Sequence, residues 1–94
     1  MIQITLLSNA SATGSAVKWP GGRGVFNVVA TFGGGTVKLQ YLGADGSTYV
    51  DYGAATTFTA AGSGVFELPD NTMIRANVAT STAVYASAAQ VQKD

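Results

Sequence analysis

Apolar side chains recur at every second position through most of this chain, in short runs divided by glycine-rich punctuation. A period of two places alternate side chains on opposite sides of an extended backbone, so the chain is committed to half-buried strands. Ile2, Ile4 and Leu6 alternate with Gln3 and Thr5 as a first strand, and Ala16 to Trp19 is short and extended ahead of Pro20. Val25 to Phe32 is the strongest strand, with Phe26, Val28, Ala30 and Phe32 on one face and Val25, Asn27, Val29 and Thr31 on the other. Thr36 to Leu42 points Val37, Leu39 and Tyr41 inward and Lys38 and Gln40 outward. Thr56 to Ala60 and Val65 to Leu68 read as short strands, and Met73 to Ala79 puts Ile74, Ala76 and Val78 inside. The alanines of Thr82 to Val91 would allow a helix, but Val84, Tyr85 and the flanking Ser and Thr favour a terminal strand.

Between these runs the turn chemistry is local. Pro20–Gly24, Gly33–Gly35, Ala61–Gly64 and Leu68–Asn71 all read as turns. Gly43-Ala-Asp-Gly46 reads as a four-residue hairpin loop with Gly46 left-handed. That loop pairs Leu42 with Ser47, Leu39 with Val50 and Val37 with Tyr52, and sets Lys38 opposite Asp51 outside. Ser8 to Ser15 carries no hydrophobic signal and reads as a linker. The expected fold is all-β: one antiparallel β-sandwich or jelly-roll-like barrel of about seven to eight short strands. Residues 1–15 are expected as an N-terminal strand or arm, and 16–94 as the sandwich domain.

Composition narrows the function. The 94 residues suit one modest core, and 47% are hydrophobic. There is no His and no Cys, which rules out Ser-His-Asp and Cys-His catalysis and disulfides. Asp45 and Asp70 fall in turns, and Asp51 and Glu67 on strands near turns, where local hydrogen bonding accounts for them better than a catalytic pair or a metal site. Gly21-Gly-Arg-Gly24 lacks the lysine spacing of a phosphate loop. Five basic residues balance five acidic ones, so nothing marks a nucleic-acid or anionic-membrane surface. Met1 to Leu7 has no basic region of the signal-peptide kind, and no apolar run reaches transmembrane length. Charged residues are 11% of the chain, against roughly 25–35% on a typical soluble designed surface, which points to obligate assembly. The expectation is a protein without catalytic residues, cofactor or metal.

Phe26, Phe32, Phe58 and Phe66 fall on inner faces, with Tyr41 and Tyr52. Tyr49 lands outside, and Trp19 either caps one end of the sandwich or stands as an interface anchor.

The runs Trp19-Pro-Gly-Gly-Arg-Gly-Val-Phe26, Thr31-Phe-Gly-Gly-Gly-Thr-Val-Lys-Leu-Gln40 and Leu42-Gly-Ala-Asp-Gly-Ser-Thr-Tyr-Val50 resemble a group of small virion-associated proteins of tailed bacteriophages. Phe66-Glu-Leu-Pro69 and Ile74-Arg-Ala76 extend the resemblance over residues 16 to 91. It implies a non-enzymatic, all-β piece of the particle, made in the host cytoplasm: a capsid decoration, or cement, protein that stabilises the head shell as an oligomer. Its partners would be the major capsid protein and copies of itself, in a trimer for instance. The clamp would be the N-terminal strand, by strand addition to a neighbour. The expected interface residues are therefore Ile2, Ile4, Leu6, Trp19 and Tyr49. The alternative is a tail or fibre module that binds host glycan or receptor, with Trp19 and Tyr49 as platforms.

Overall fold

A computed structural model describes residues 3–91. The described residues form nine strands in two antiparallel sheets packed face to face as a β-sandwich. They are β1 (Gln3–Ala10), β2 (Val17–Trp19), β3 (Gly22–Thr31), β4 (Thr36–Leu42), β5 (Tyr49–Asp51), β6 (Thr57–Phe58), β7 (Gly62–Leu68), β8 (Thr72–Ala79) and β9 (Thr82–Gln90). A single 3-10 turn, Ala54–Thr56, precedes β6. One sheet has four strands in the order β1-β9-β3-β7. The other runs β2-β8-β4-β5, with β6 also pairing β4. Every connection except β4–β5 and β5–β6 crosses from one sheet to the other.

The alternation expected along β3, β4 and β8 is present. Phe26, Val28, Val37, Leu39, Ile74 and Ala76 are buried between the sheets, joined by Val84, Ala86 and Ala88 of β9. The ambiguous last segment is a strand because it lies centrally, paired on both sides, with β1 and β3.

Residues 1–15 do not stand apart from the sandwich in their described part. The chain from Ser8 remains in β1 as far as Ala10, paired with β9 through two register shifts. The first shift, between Thr5 and Leu7, turns both Leu6 and Leu7 into the core, where strict alternation would leave Leu7 outside. Beyond β1 the chain crosses to the other sheet. The Gly14 amide donates to the Ala76 carbonyl, and Thr13 Oγ1 accepts from the Val78 amide.

Three turn readings need correction. Pro20–Gly24 shortens to Pro20 and Gly21, because β3 begins at Gly22. Gly62–Gly64 is not a turn but the first part of β7. Glycine is needed there for close approach: a Cβ on Gly64 would collide with the Ala55 carbonyl, and the Phe58 ring covers both glycines. The loop after β4 holds six residues, not four. Leu42 pairs with Tyr49, Tyr41 with Val50 and Gln40 with Asp51. The Asp45 carboxylate accepts from the Ser47 amide (3.0 Å), the Thr48 amide (2.9 Å) and Thr48 Oγ1 (2.7 Å), which draws Ser47 and Thr48 into the loop. Gly46 takes a φ of 77° there. A two-residue slip preserves the alternation, since the side-chain period is also two, but Val50, expected on the buried side, is 40% exposed on the short strand β5.

The end of the core is built on Trp19. It is fully buried, its ring 4.8 Å from that of Phe66, and its indole N–H donates to the Gly22 carbonyl. A Cβ at residue 24 would lie 2.6 and 2.7 Å from Trp19 Cη2 and Cζ2 and 2.8 Å from Phe66 Cζ. Gly24→Ala is therefore expected to destabilise the domain by about 1–3 kcal/mol through overpacking. At about 4–8 °C per kcal/mol for this size, thermal unfolding followed by circular dichroism will register the loss. An unchanged melting temperature would refute the packing described.

Candidate functional site

The outward-facing sides of the two sheets differ in kind. On the five-stranded sheet, Gln40 sits directly between Arg75 of β8 and Asp51 of β5. Asp51 accepts from Gln40 Nε2 at 2.8 Å and from Lys38 Nζ at 3.0 Å, and Gln40 Oε1 accepts from Arg75 Nε at 2.9 Å. The Arg75 guanidinium lies 3.9 Å from the centre of the Tyr49 ring. The hydrogen bond from Gln40, then that from Lys38, holds the Asp51 carboxyl below its usual pKa. This surface is a polar network whose members satisfy one another.

The outer face of the four-stranded sheet is the reverse. Its register sets side chains in rows across the strands. One row is Gln3, Ala89, Val25 and Val65; the next is Thr5, Ser87, Asn27 and Ser63; a third holds Tyr85 and Val29. Val29 is 57% exposed, Val65 55%, Tyr85 49% and Val91 37%. Of the large hydrophobic side chains exposed among the described residues, only Val50 lies elsewhere. Among the described residues, Arg23 and Glu67, opposite one another at one end, are the charges of this face. A hollow of about 230 Å³ opens beside the β1 bulge, lined by Thr5, Leu7, Ser8, Asn27, Tyr85, Ala86 and Ser87. The apolar side chains of this face lie in two rows with the neutral polar row between them.

The four described residues of the five expected at the interface do not form one patch. Ile2 lies outside the described residues. Ile4 packs against the core and Leu6 is in it. Trp19 is in the core, so it offers no contact surface: β2 is paired to β8 and its tryptophan points between the sheets. Tyr49 is on the outer side, as expected, but half-buried, with Arg75 on its ring. The residues that do share a face are Val25, Val29, Val65, Tyr85, Ala89 and Val91. The signal for two of them was present in the alternation, which put Val25 and Val29 on the outward side of the strongest strand.

The described acids are spread over four places: Asp45 in the β4–β5 loop, Asp51 on β5, Glu67 on β7 and Asp70 in the β7–β8 turn. Among the described residues no group of three or more possible ligands could hold a metal ion, and no helix is long and apolar enough to cross a membrane. No protein-family model matches the chain, and no curated protein or solved structure matches it.

The β4–β5 loop has its own pH dependence. The hydrogen bonds from the Ser47 amide, the Thr48 hydroxyl and the Thr48 amide lower the Asp45 pKa from 3.8 to about 2. A carboxyl more acidic in the folded state stabilises the fold fully above its unfolded pKa, and the contribution fades as pH falls through the folded value. Asp45→Asn is therefore expected to lower the melting temperature near neutral pH and to flatten its decline between about pH 4 and pH 2. Parallel pH-melting curves for the variant and the parent would count against the loop geometry.

Proposed function

We propose that this chain is a non-enzymatic virion structural protein, a capsid decoration (cement) protein that binds and stabilises the head shell of a tailed phage as an oligomer. The observation that carries the reading is the concentration of exposed apolar side chains on the outer face of the four-stranded sheet. A monomer in water gains nothing from exposing Val65 in one row and Val29 beside Tyr85 in another, while burial against a protein surface is worth roughly 25 cal/mol per Å² of apolar area. Zero net charge and few charges lower the repulsion between copies crowded on a shell, and many weak contacts add through multivalency. The resemblance of residues 16 to 91 to small virion-associated proteins supplies the particle. The partners are the major capsid protein and further copies of this chain. The place of action is the virion, after synthesis in the host cytoplasm.

A second reading, a tail or fibre module for host glycan or receptor, keeps one supporting feature. The hollow beside Tyr85 sets a half-exposed aromatic ring next to the neutral side chains of Asn27, Ser87 and Thr5. That arrangement suits an uncharged, hydroxyl-rich ligand.

Quantitative mass spectrometry of purified particles separates the two. The decoration reading expects a copy number comparable to that of the shell subunit. A ratio far below it, with glycan binding that Tyr85→Ala abolishes, would favour the second. Absence from the particle would overturn both.

A further inference from the structure

We infer that the outer face of the four-stranded sheet is covered by the same face of a second copy, two sandwiches stacked about a two-fold axis running along the strands between β9 and β3. The inference rests on the oligomeric reading above and names the contact that would make the oligomer.

A two-fold axis in that position exchanges β9 with β3 and β1 with β7, and returns each row of side chains onto itself. Ala89 then faces Val25 of the other copy, Tyr85 faces Val29, and Ser87 faces Asn27. On the two central strands each pair is of one character, so apolar meets apolar and the neutral polar pair meets its own hydroxyl and amide; on the flanking strands Gln3 meets Val65 of the other copy, away from the axis. Arg23 and Glu67 share the row at one end and stay at the rim, so no charge is carried into the centre.

Both edges of this sheet and the outer face of the other sheet are less available for self-association. At the open edge of β7, the Tyr52 hydroxyl takes the Glu67 amide at 3.0 Å and reaches the Glu67 carbonyl at 3.4 Å, which occupies backbone groups an added strand would need. The β1 edge is broken by its two register shifts. The five-stranded face is tied up in its own ion pair and hydrogen bonds. With four strands about 4.8 Å apart and roughly seven residues each at about 3.3 Å, the footprint is roughly 20 by 23 Å per copy, below the standard size of a stable interface and in the range of weak, transient contacts. Association is therefore expected in the micromolar range or weaker. Each protomer keeps its loop ends free for the shell.

The test is analytical ultracentrifugation of the full chain from about 10 μM to about 1 mM, a span chosen to bracket that affinity. The parent should move from monomer to dimer over this range. Val29→Lys and Tyr85→Glu should each weaken dimerisation about tenfold or more while keeping the parent's melting temperature, both side chains being half exposed or more. An equimolar mixture of the two variants should associate again, because residue 29 of one copy faces residue 85 of the other. A parent that stays monomeric at the highest concentration overturns the inference, as does a dimer that neither variant weakens or a mixture that does not recover. A monomeric parent that still binds purified heads overturns the dimer alone and leaves the decoration reading standing. A dimer that binds no head does the opposite.

Discussion

The indole of Trp19 fits against this sandwich because residue 24 has no side chain. That contact between a large ring and bare backbone anchors one end of the core. From it an aromatic series runs inward: Trp19 to Phe66 at 4.8 Å, Phe66 to Tyr52 at 6.0 Å and Tyr52 to Tyr41 at 6.3 Å. The last three lie on different strands and the connection before β6, so the series ties together segments far apart in the chain. It also fixes the Tyr52 hydroxyl against the Glu67 backbone, where it guards the edge of β7. In a chain without disulfides, packing of this kind has to supply what a covalent bridge supplies elsewhere.

The two outer faces show how few charged residues can be arranged to opposite effect. Lys38, Arg75 and Asp51 converge on one sheet around Gln40, whose amide joins the two strands beside it. Strand alternation points Gln40 outward, yet it is 8% exposed, because its neighbours fold over it. The other sheet keeps its charges at one end and is otherwise neutral. Such a division leaves one face a bonded polar network and the other largely neutral and partly apolar.

Much of the fold was legible in the residues because strand patterning is local. β4 begins and ends where the alternation and the flanking glycines put it, and the inward residues of β3 and β8 follow from period two alone. The misreadings share a cause. Glycine and serine in Gly62–Gly64 resemble a turn by composition, and only the 3-10 turn and Phe58 packed against them explain why they are a strand. The Asp45 carboxylate enlarged a loop by capturing two amides and a hydroxyl, which turn statistics do not register. Trp19 carried two readings, an end cap or an interface anchor, and the strand pairing of β2 with β8 put it inside at the end of the core.

The sequence by itself determined that this protein is built of short strands, which side of most strands is apolar, and that catalysis by histidine or cysteine is closed to it. Those properties depend on residue identity and on neighbours one or two positions away. The tertiary structure alone decided the strand order, and with it which outward residues become neighbours. Val25, Val65 and Ala89 are tens of residues apart, and only the hydrogen-bond ladders of β3 with β7 and β9 set them in one row. An apolar surface exists here because those ladders fix register over long loops, and nothing in a period-two pattern records which strand will lie beside which.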